Sequence, residues 1–99
     1  MAEGTIALRL ISPDRGELKI DCDSVRFSLP DSKDGKIPGG SVGIRRGHTD
    51  ALMAVAPGTV LAFSGGKKIF SCEVGAGFAV VSKEGVSILT ERFYKETAD

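Results

Sequence analysis

Several residue types that mark common functional classes are scarce in this sequence of 99 residues. It has no tryptophan, one tyrosine, one histidine and two cysteines, and thirteen basic and thirteen acidic side chains cancel to a formal charge of zero. Nucleic-acid binders and basic membrane-surface segments need a local excess of Lys and Arg, so the balance argues against both. No apolar run approaches the ~20 residues of a membrane-spanning helix. The start, Met1-Ala2-Glu3-Gly4, does not resemble a secretory signal.

The expected cellular compartment decides whether the two cysteines form a disulfide. Cys22 and Cys72 each lie in a stretch of alternating apolar residues. Without a secretory signal we expect a cytosolic chain, in which thiols stay reduced. Because a free cysteine behaves mainly as a small hydrophobic residue, we predict two buried or half-buried free thiols.

Residues for catalysis or cofactor binding are equally scarce. A nucleophile would need His48, the single histidine, beside an orienting acid such as Asp50, and nothing places Cys22 or Cys72 near it. One histidine and two scattered cysteines supply no recognisable metal-ligand set. The glycines around Gly66-Lys67 lack the spacing of a phosphate-binding loop. We therefore expect no catalytic residue, no metal, no cofactor and no small-molecule substrate.

The apolar residues predict strands. They alternate with polar or small residues over segments 6–10, 18–22 and 25–29, which is the period of a half-buried strand, and a further run follows at 59–63. Turn signals at Ser64-Gly65-Gly66-Lys67 and Lys83-Glu84-Gly85 separate later segments. Strands at about ten-residue spacing are typical of an antiparallel sandwich or flattened barrel, so the fold class is all-β.

Two segments depart from this pattern. Residues 31–47 are rich in glycine and basic residues, and we expect a long exposed connection there, of the kind that often carries function. Within it, the pair Arg45-Arg46 is either a solvated loop tip or a binding element for a phosphate or an acidic partner. The polar end, residues 91–99, is expected to fray.

Several motifs, in order, resemble the amino-terminal domain of the epsilon subunit of F-type ATP synthases, called delta in mitochondria. They are Ile11-Ser12-Pro13-Asp14-Arg15, Val25 to Pro30, Gly43-Ile44-Arg45-Arg46-Gly47-His48-Thr49-Asp50-Ala51-Leu52, Val55-Ala56-Pro57-Gly58, Val74 to Val81, and Val86-Ser87-Ile88-Leu89-Thr90. Together they cover about residues 5 to 92. The resemblance implies one ten-stranded β-sandwich domain over residues 1–99, with its core at about 5–92 and a frayed tail at 93–99.

The departures from the family pattern concern one loop and the end of the chain. Arg45 and Arg46 stand where Leu-Pro is usual, Asp50 replaces a proline and Ala76 replaces a glycine. The changes at Arg45, Arg46 and Asp50 make the loop around residues 43–52 more polar, and the two arginines make it more basic. The family's carboxy-terminal helical hairpin has no counterpart, so we expect neither its inhibition of ATP hydrolysis nor its ATP sensing.

The resemblance implies a non-catalytic subunit of the central stalk. Such a subunit docks the gamma subunit onto the c-ring and supports the coupling of proton or sodium transport to ATP synthesis. It lies at the cytoplasmic face of the bacterial plasma membrane, peripheral to the membrane through the complex. Its partners are proteins and not nucleic acid.

Two sets of contact residues are expected. On the c-ring side the resemblance carries over Ser41, Val42 and Gly43. We add Arg45 and Arg46 to this side because a basic pair would favour docking onto acidic groups of a partner. On the gamma side it carries over Ser12, His48 and Met53, the methionine being expected at the surface. Two alternatives stay open: a stand-alone β-sandwich that has changed its binding partner, and a small hydrolase that uses His48 with a nearby Ser or Cys.

Charge reversal tests the basic pair. With Arg45→Glu and Arg46→Glu together, we expect weaker assembly with the membrane sector and greater sensitivity of that assembly to salt. The melting temperature of the isolated domain should hardly change, because an exposed charge contributes only about 0–1 kcal/mol to folding. Membrane binding at rising salt and thermal unfolding measure the two effects. A large fall in melting temperature would mean that these arginines belong to the fold.

Overall fold

The structure is a computed structural model that describes residues 5–31, 39–45, 47 and 50–98, with side chains described as far as Phe93. Arg46 and His48 lie outside the described residues. The described part forms ten strands: β1 (Ile6–Ser12), β2 (Gly16–Cys22), β3 (Ser24–Ser28), β4 (Ser41–Arg45), β5 (Ala51–Val55), β6 (Gly58–Ser64), β7 (Lys67–Val74), β8 (Gly77–Ser82), β9 (Gly85–Thr90) and β10 (Phe93–Ala98). No helix in these ranges is long and apolar enough to cross a membrane.

The strands build two five-stranded sheets. Sheet A has the order β2-β1-β9-β8-β5, and sheet B has the order β10-β7-β6-β3-β4. The predicted all-β sandwich is confirmed, as two separate sheets and not as a closed barrel. One pair departs from the antiparallel expectation, since β1 and β9 run parallel, with Leu8 opposite Val86 and Leu10 opposite Ile88.

The core lies between the two sheets and follows from the period of the strands. Along β1, buried and half-buried side chains alternate without a break, because successive side chains of a strand point to opposite faces. The same alternation directs Val25 and Phe27 of β3 inward. The buried cluster comprises Ile6, Leu8, Leu10, Cys22, Val25, Phe27, Ile44, Val55, Val60, Ala62, Phe70, Cys72, Val74, Ala79, Val81, Val86, Ile88 and Phe93.

Glycine is required at two turns. The β6–β7 hairpin predicted at Gly65-Gly66 is confirmed, with φ of 61° and 80°, the positive pair that a tight two-residue turn needs. Asp23 stabilises it by accepting a hydrogen bond from the Gly65 N–H at 2.6 Å. At Gly85 φ is 153°, and a Cβ there would collide with the Ala7 carbonyl oxygen. Gly85 therefore lets β9 approach β1.

The prediction of a long exposed connection over residues 31–47 is wrong for the second half of that segment. β4 pairs with β3 along its whole length, with Ile44 opposite Val25. Ile44 is only 1% exposed. Val42 and Ile44 alternate with polar residues and glycine, and this short apolar pattern is sufficient for an edge strand when β3 offers a partner.

The frayed tail expected at 93–99 is also wrong for most of its length, because β10 pairs antiparallel with β7. Phe93 is buried in the core. Arg15, in the β1–β2 turn, donates a hydrogen bond to the Phe93 carbonyl oxygen at 3.3 Å, and its guanidinium carbon lies 5.2 Å from the centre of the Phe93 ring. Tertiary contacts thus order a segment whose own sequence is polar.

Both cysteines are buried free thiols, as predicted. Burial, together with the nearby carboxylates of Asp23 and Asp21, raises the pKa of the Cys22 thiol from an ordinary 9.0 to about 11. The thiol therefore stays protonated in the folded chain at neutral pH.

The raised pKa of Cys22 predicts a pH dependence of stability. Between about pH 9 and 11 the unfolded chain loses the thiol proton and the folded chain keeps it, so the free energy of unfolding falls as pH rises. Denaturant unfolding of the wild type and of Cys22→Ala, at several pH values from 8 to about 10.5, isolates this term because the other groups titrate in both proteins. Equal slopes in the two proteins would contradict it.

Candidate interaction surfaces

The outer face of sheet A carries a continuous apolar surface. Four large apolar side chains are exposed there: Leu52 (70%), Phe78 (57%), Val80 (45%) and Leu89 (43%). Leu52 is opposite Val80, and Phe78 is opposite Leu89. On the next strand, Ile11 is opposite Leu89. We call these five residues the apolar face. Contiguous exposed apolar surface marks interaction sites in soluble proteins.

The local sequence explains why these side chains are exposed. In β8, Ala79 and Val81 fill the core, yet Phe78 and Val80 between them are apolar as well. A strand with one face in water normally alternates, whereas a strand covered on both faces is apolar throughout. The far edge of the same sheet is polar, and there Arg9 and Glu17 form an ion pair at 3.1 Å. The outer face of sheet A is thus polar at the β2 edge and apolar over β9, β8 and β5.

A shallow hollow of about 560 Å³ lies at one end of the apolar face. It is lined by Ile11, Ser12, Pro13, Ala76, Gly77, Phe78, Leu89, Thr90 and Glu91. Its two buried hydroxyls bond within the chain. Ser12 Oγ accepts from the Arg15 N–H at 3.1 Å, and the Thr90 hydroxyl lies 2.9 Å from the carbonyl oxygen of Arg92, to which it donates. The hollow therefore offers a partner mainly its apolar rim.

Two of the three expected gamma-side residues, Ser12 and Met53, lie beneath this surface, and the third, His48, is outside the described residues. Ser12 is only 4% exposed and lines the hollow. The expectation of a surface methionine is wrong, because Met53 is opposite Ala79 and packs against the core. Its neighbour Leu52 points outward instead. None of the four exposed side chains of the apolar face was expected from the sequence, although the unbroken apolar runs of β5 and β8 are a usable signal.

The outer face of sheet B carries a groove of about 720 Å³ with two arginines. Arg26 of β3 is opposite Gly43 of β4. Its Nη1 donates to Ser41 Oγ at 3.2 Å, and a Cβ at Gly43 would lie 3.4 Å from its Nη2. We call this the basic groove. It is lined by Asp23, Ser24, Val25, Arg26, Gly43, Arg45, Phe63 and Gly66.

Three of the expected c-ring residues meet on this face. Ser41, Gly43 and Arg45 alternate along β4, so they share its outer side. Val42 lies between them, points inward and packs against the core. The sequence analysis did not select Arg26, since only the pairing of β3 with β4 brings it to this group.

The two surfaces lie on opposite sides of the sandwich, one on each sheet. In the described ranges no group of three or more His, Cys, Asp or Glu side chains is placed to hold a metal ion. Each buried side-chain nitrogen or oxygen there has a hydrogen-bond partner.

A ten-stranded two-sheet sandwich with an apolar outer face and an opposed basic groove defines a protein-docking domain. A family model described as ATP synthase, Delta/Epsilon chain, beta-sandwich domain matches residues 5–96. The chain belongs to this family, which confirms the resemblance. The ATP synthase epsilon chain of Frankia casuarinae is 36% identical over 87 residues, which cover 87% of this chain and 92% of that one.

Solved structures of mitochondrial ATP synthases contain similar chains. One, in an OSCP/F1/c-ring structure from Euglena gracilis, is 26% identical with a TM-score of 0.70 and covers 92% of this chain and 53% of its own length. Another, in a central stalk/c-ring structure from Tetrahymena thermophila, has a TM-score of 0.60 at 12% identity, covers 91% of this chain and 66% of its own, and shows the fold alone. The present chain spans about half to two thirds of these two chains.

A matched pair of leucine variants tests whether the apolar face is dispensable for folding. Leu52→Ala should change the free energy of unfolding by at most about 0.5 kcal/mol, because the side chain contacts mostly water. Leu8→Ala should cost about 2–5 kcal/mol, since it leaves a cavity in the core. Denaturant unfolding measures both. A cost for Leu52→Ala close to that of Leu8→Ala would mean that Leu52 belongs to the core.

Proposed function

We propose that this chain is a non-catalytic subunit of the central stalk of an F-type ATP synthase. In this role it docks the gamma subunit onto the c-ring and supports the coupling of proton or sodium transport to ATP synthesis. The observation that carries the proposal is that the family match spans the whole sandwich. The exposed apolar face of that sandwich, which a partner would cover, adds to it.

The architecture suits a mechanical connection. A part that transmits rotation between two partners needs two separate contact surfaces on one rigid body. Here one surface lies on each sheet, and close packing of the shared core opposes deformation between them. The role needs no chemistry from the chain, and the side chains of its two surfaces are suited to binding.

The gamma subunit is assigned to the apolar face. Stable interfaces have an apolar centre in which aromatic side chains contribute much of the binding energy. Phe78 and Leu52 are the anchors that best fit this description. Ser12 and Met53 lie just beneath the same sheet surface, so their assignment to the gamma side stays a proposal, as does that of His48.

The c-ring is assigned to the opposite sheet, where Ser41, Gly43 and Arg45 share the outer side of β4. Arg46 and Val42 stay part of this proposal. In such a complex the chain is peripheral to the membrane. The similarity to a bacterial epsilon chain supports the cytoplasmic face of a bacterial plasma membrane as its location.

Co-elution with the gamma subunit tests the proposal. On co-expression with gamma from the same organism, the wild type should elute with gamma as one complex in gel filtration at micromolar concentration. Phe78→Asp should abolish the complex, because a buried unpaired carboxylate is strongly unfavourable.

Lys19→Asp is the matched control, since it places the same side chain on the polar edge of the same sheet, and it should co-elute with gamma. Separate elution of the wild type and gamma would overturn the stalk role. That result would favour a β-sandwich that binds another protein.

A further inference from the structure

The guanidinium of Arg26 is held in a fixed place on the outer face of sheet B. It extends across the β3–β4 pair and lies beside Gly43, where a Cβ would be 3.4 Å from its Nη2. Ser41 Oγ accepts one of its hydrogen bonds, at 3.2 Å. A guanidinium has five N–H donors, so most of its donors stay available to a ligand above the sheet.

The second guanidinium of the basic groove belongs to Arg45, which is exposed at the end of β4. The Arg45 side chain makes no hydrogen bond or ion pair with any residue that the structure describes. The acid in the lining is Asp23, and its Oδ2 accepts the Gly65 N–H at 2.6 Å. Among the described residues, neither of the two guanidinium groups in the groove forms an ion pair.

We propose that the basic groove binds a carboxylate-bearing segment of a partner protein, with Arg26 and Arg45 as the recognising residues. Guanidinium groups suit carboxylates because their parallel donors match the two carboxylate oxygens. Ser41 is a positioning residue that acts through Arg26. On the stalk, this inference means that the surface facing the c-ring recognises acidic side chains, and it rests on the proposed function for that partner.

The composition of the groove favours a protein over other anionic ligands. Membrane surfaces attract clusters of about 4–8 basic residues, whereas this groove has two arginines and one aspartate. A free anion would need donors on several sides, and here both cations stand on one open face. Phe63 adds an aromatic wall, and arginine together with aromatic residues is the enriched composition of protein interfaces.

Nuclear magnetic resonance of the ¹⁵N-labelled full chain tests the inference. The probe is hexaglutamate, and hexaglutamine is the uncharged comparison. We expect saturable shifts of the Gly43 and Arg45 amide signals with hexaglutamate, at a Kd of about 1–5 mM for two charge-assisted guanidinium–carboxylate pairs, and none with hexaglutamine. Added salt should weaken the binding.

Three variants distinguish the placement of the two groove arginines from the net charge of the chain. The double variant Arg26→Gln with Arg45→Gln should raise the Kd at least about tenfold. The pair Lys19→Gln with Lys83→Gln removes the same charge outside the groove and should change the Kd less than about twofold. Ser41→Ala keeps every charge but removes the hydroxyl that accepts a hydrogen bond from Arg26 Nη1, and an increase of about threefold is expected.

Several results would overturn the inference. They are the absence of shifts at Gly43 and Arg45, equal loss of binding in the two double variants, tighter binding of inorganic phosphate than of hexaglutamate, and tighter binding of phosphatidylglycerol vesicles. The last two outcomes would assign the groove to a free anion or to a membrane. Because the gamma subunit is absent, failure here is distinct from failure of gamma to co-elute.

Discussion

The parallel pairing of β1 with β9 is the contact on which the arrangement of the molecule depends. It places β9 in the centre of sheet A, so that β8 and β5 extend the sheet on the far side. Ile11, Leu89 and Phe78 thereby become neighbours across three strands. Gly85 permits this pairing, because a side chain there would meet the backbone of Ala7.

The sequence predicts local features better than tertiary ones. Alternation predicts the inward side of β1 and β3, and Gly65-Gly66 predicts a hairpin, since both are properties of adjacent residues. β4 and β10 escape detection because their own sequences are short or polar and their order comes from distant partners. The same reason applies to Arg26, which joins the groove only through strand pairing. Met53 is misplaced because the motif match does not say to which face of β5 each residue points.

The two candidate surfaces differ in the physics of attachment. Burial of apolar area is insensitive to ionic strength and suits a contact that stays closed during rotation. Contacts between exposed charges are weaker, are screened by salt and re-form readily. A stalk subunit with one surface of each kind would hold one partner firmly and adjust to the other. The distribution of side chains thus fits the proposed division of roles.

The contact between Arg15 and Phe93 has a mechanical consequence. Arg15 belongs to a turn of sheet A, and Phe93 begins the edge strand of sheet B. A twisting load applied to the two outer faces acts as a shear, which tends to slide one sheet over the other. The interlocked core opposes this sliding along its area, and the contact of the Arg15 guanidinium with Phe93 adds a link between the two sheets at the start of β10.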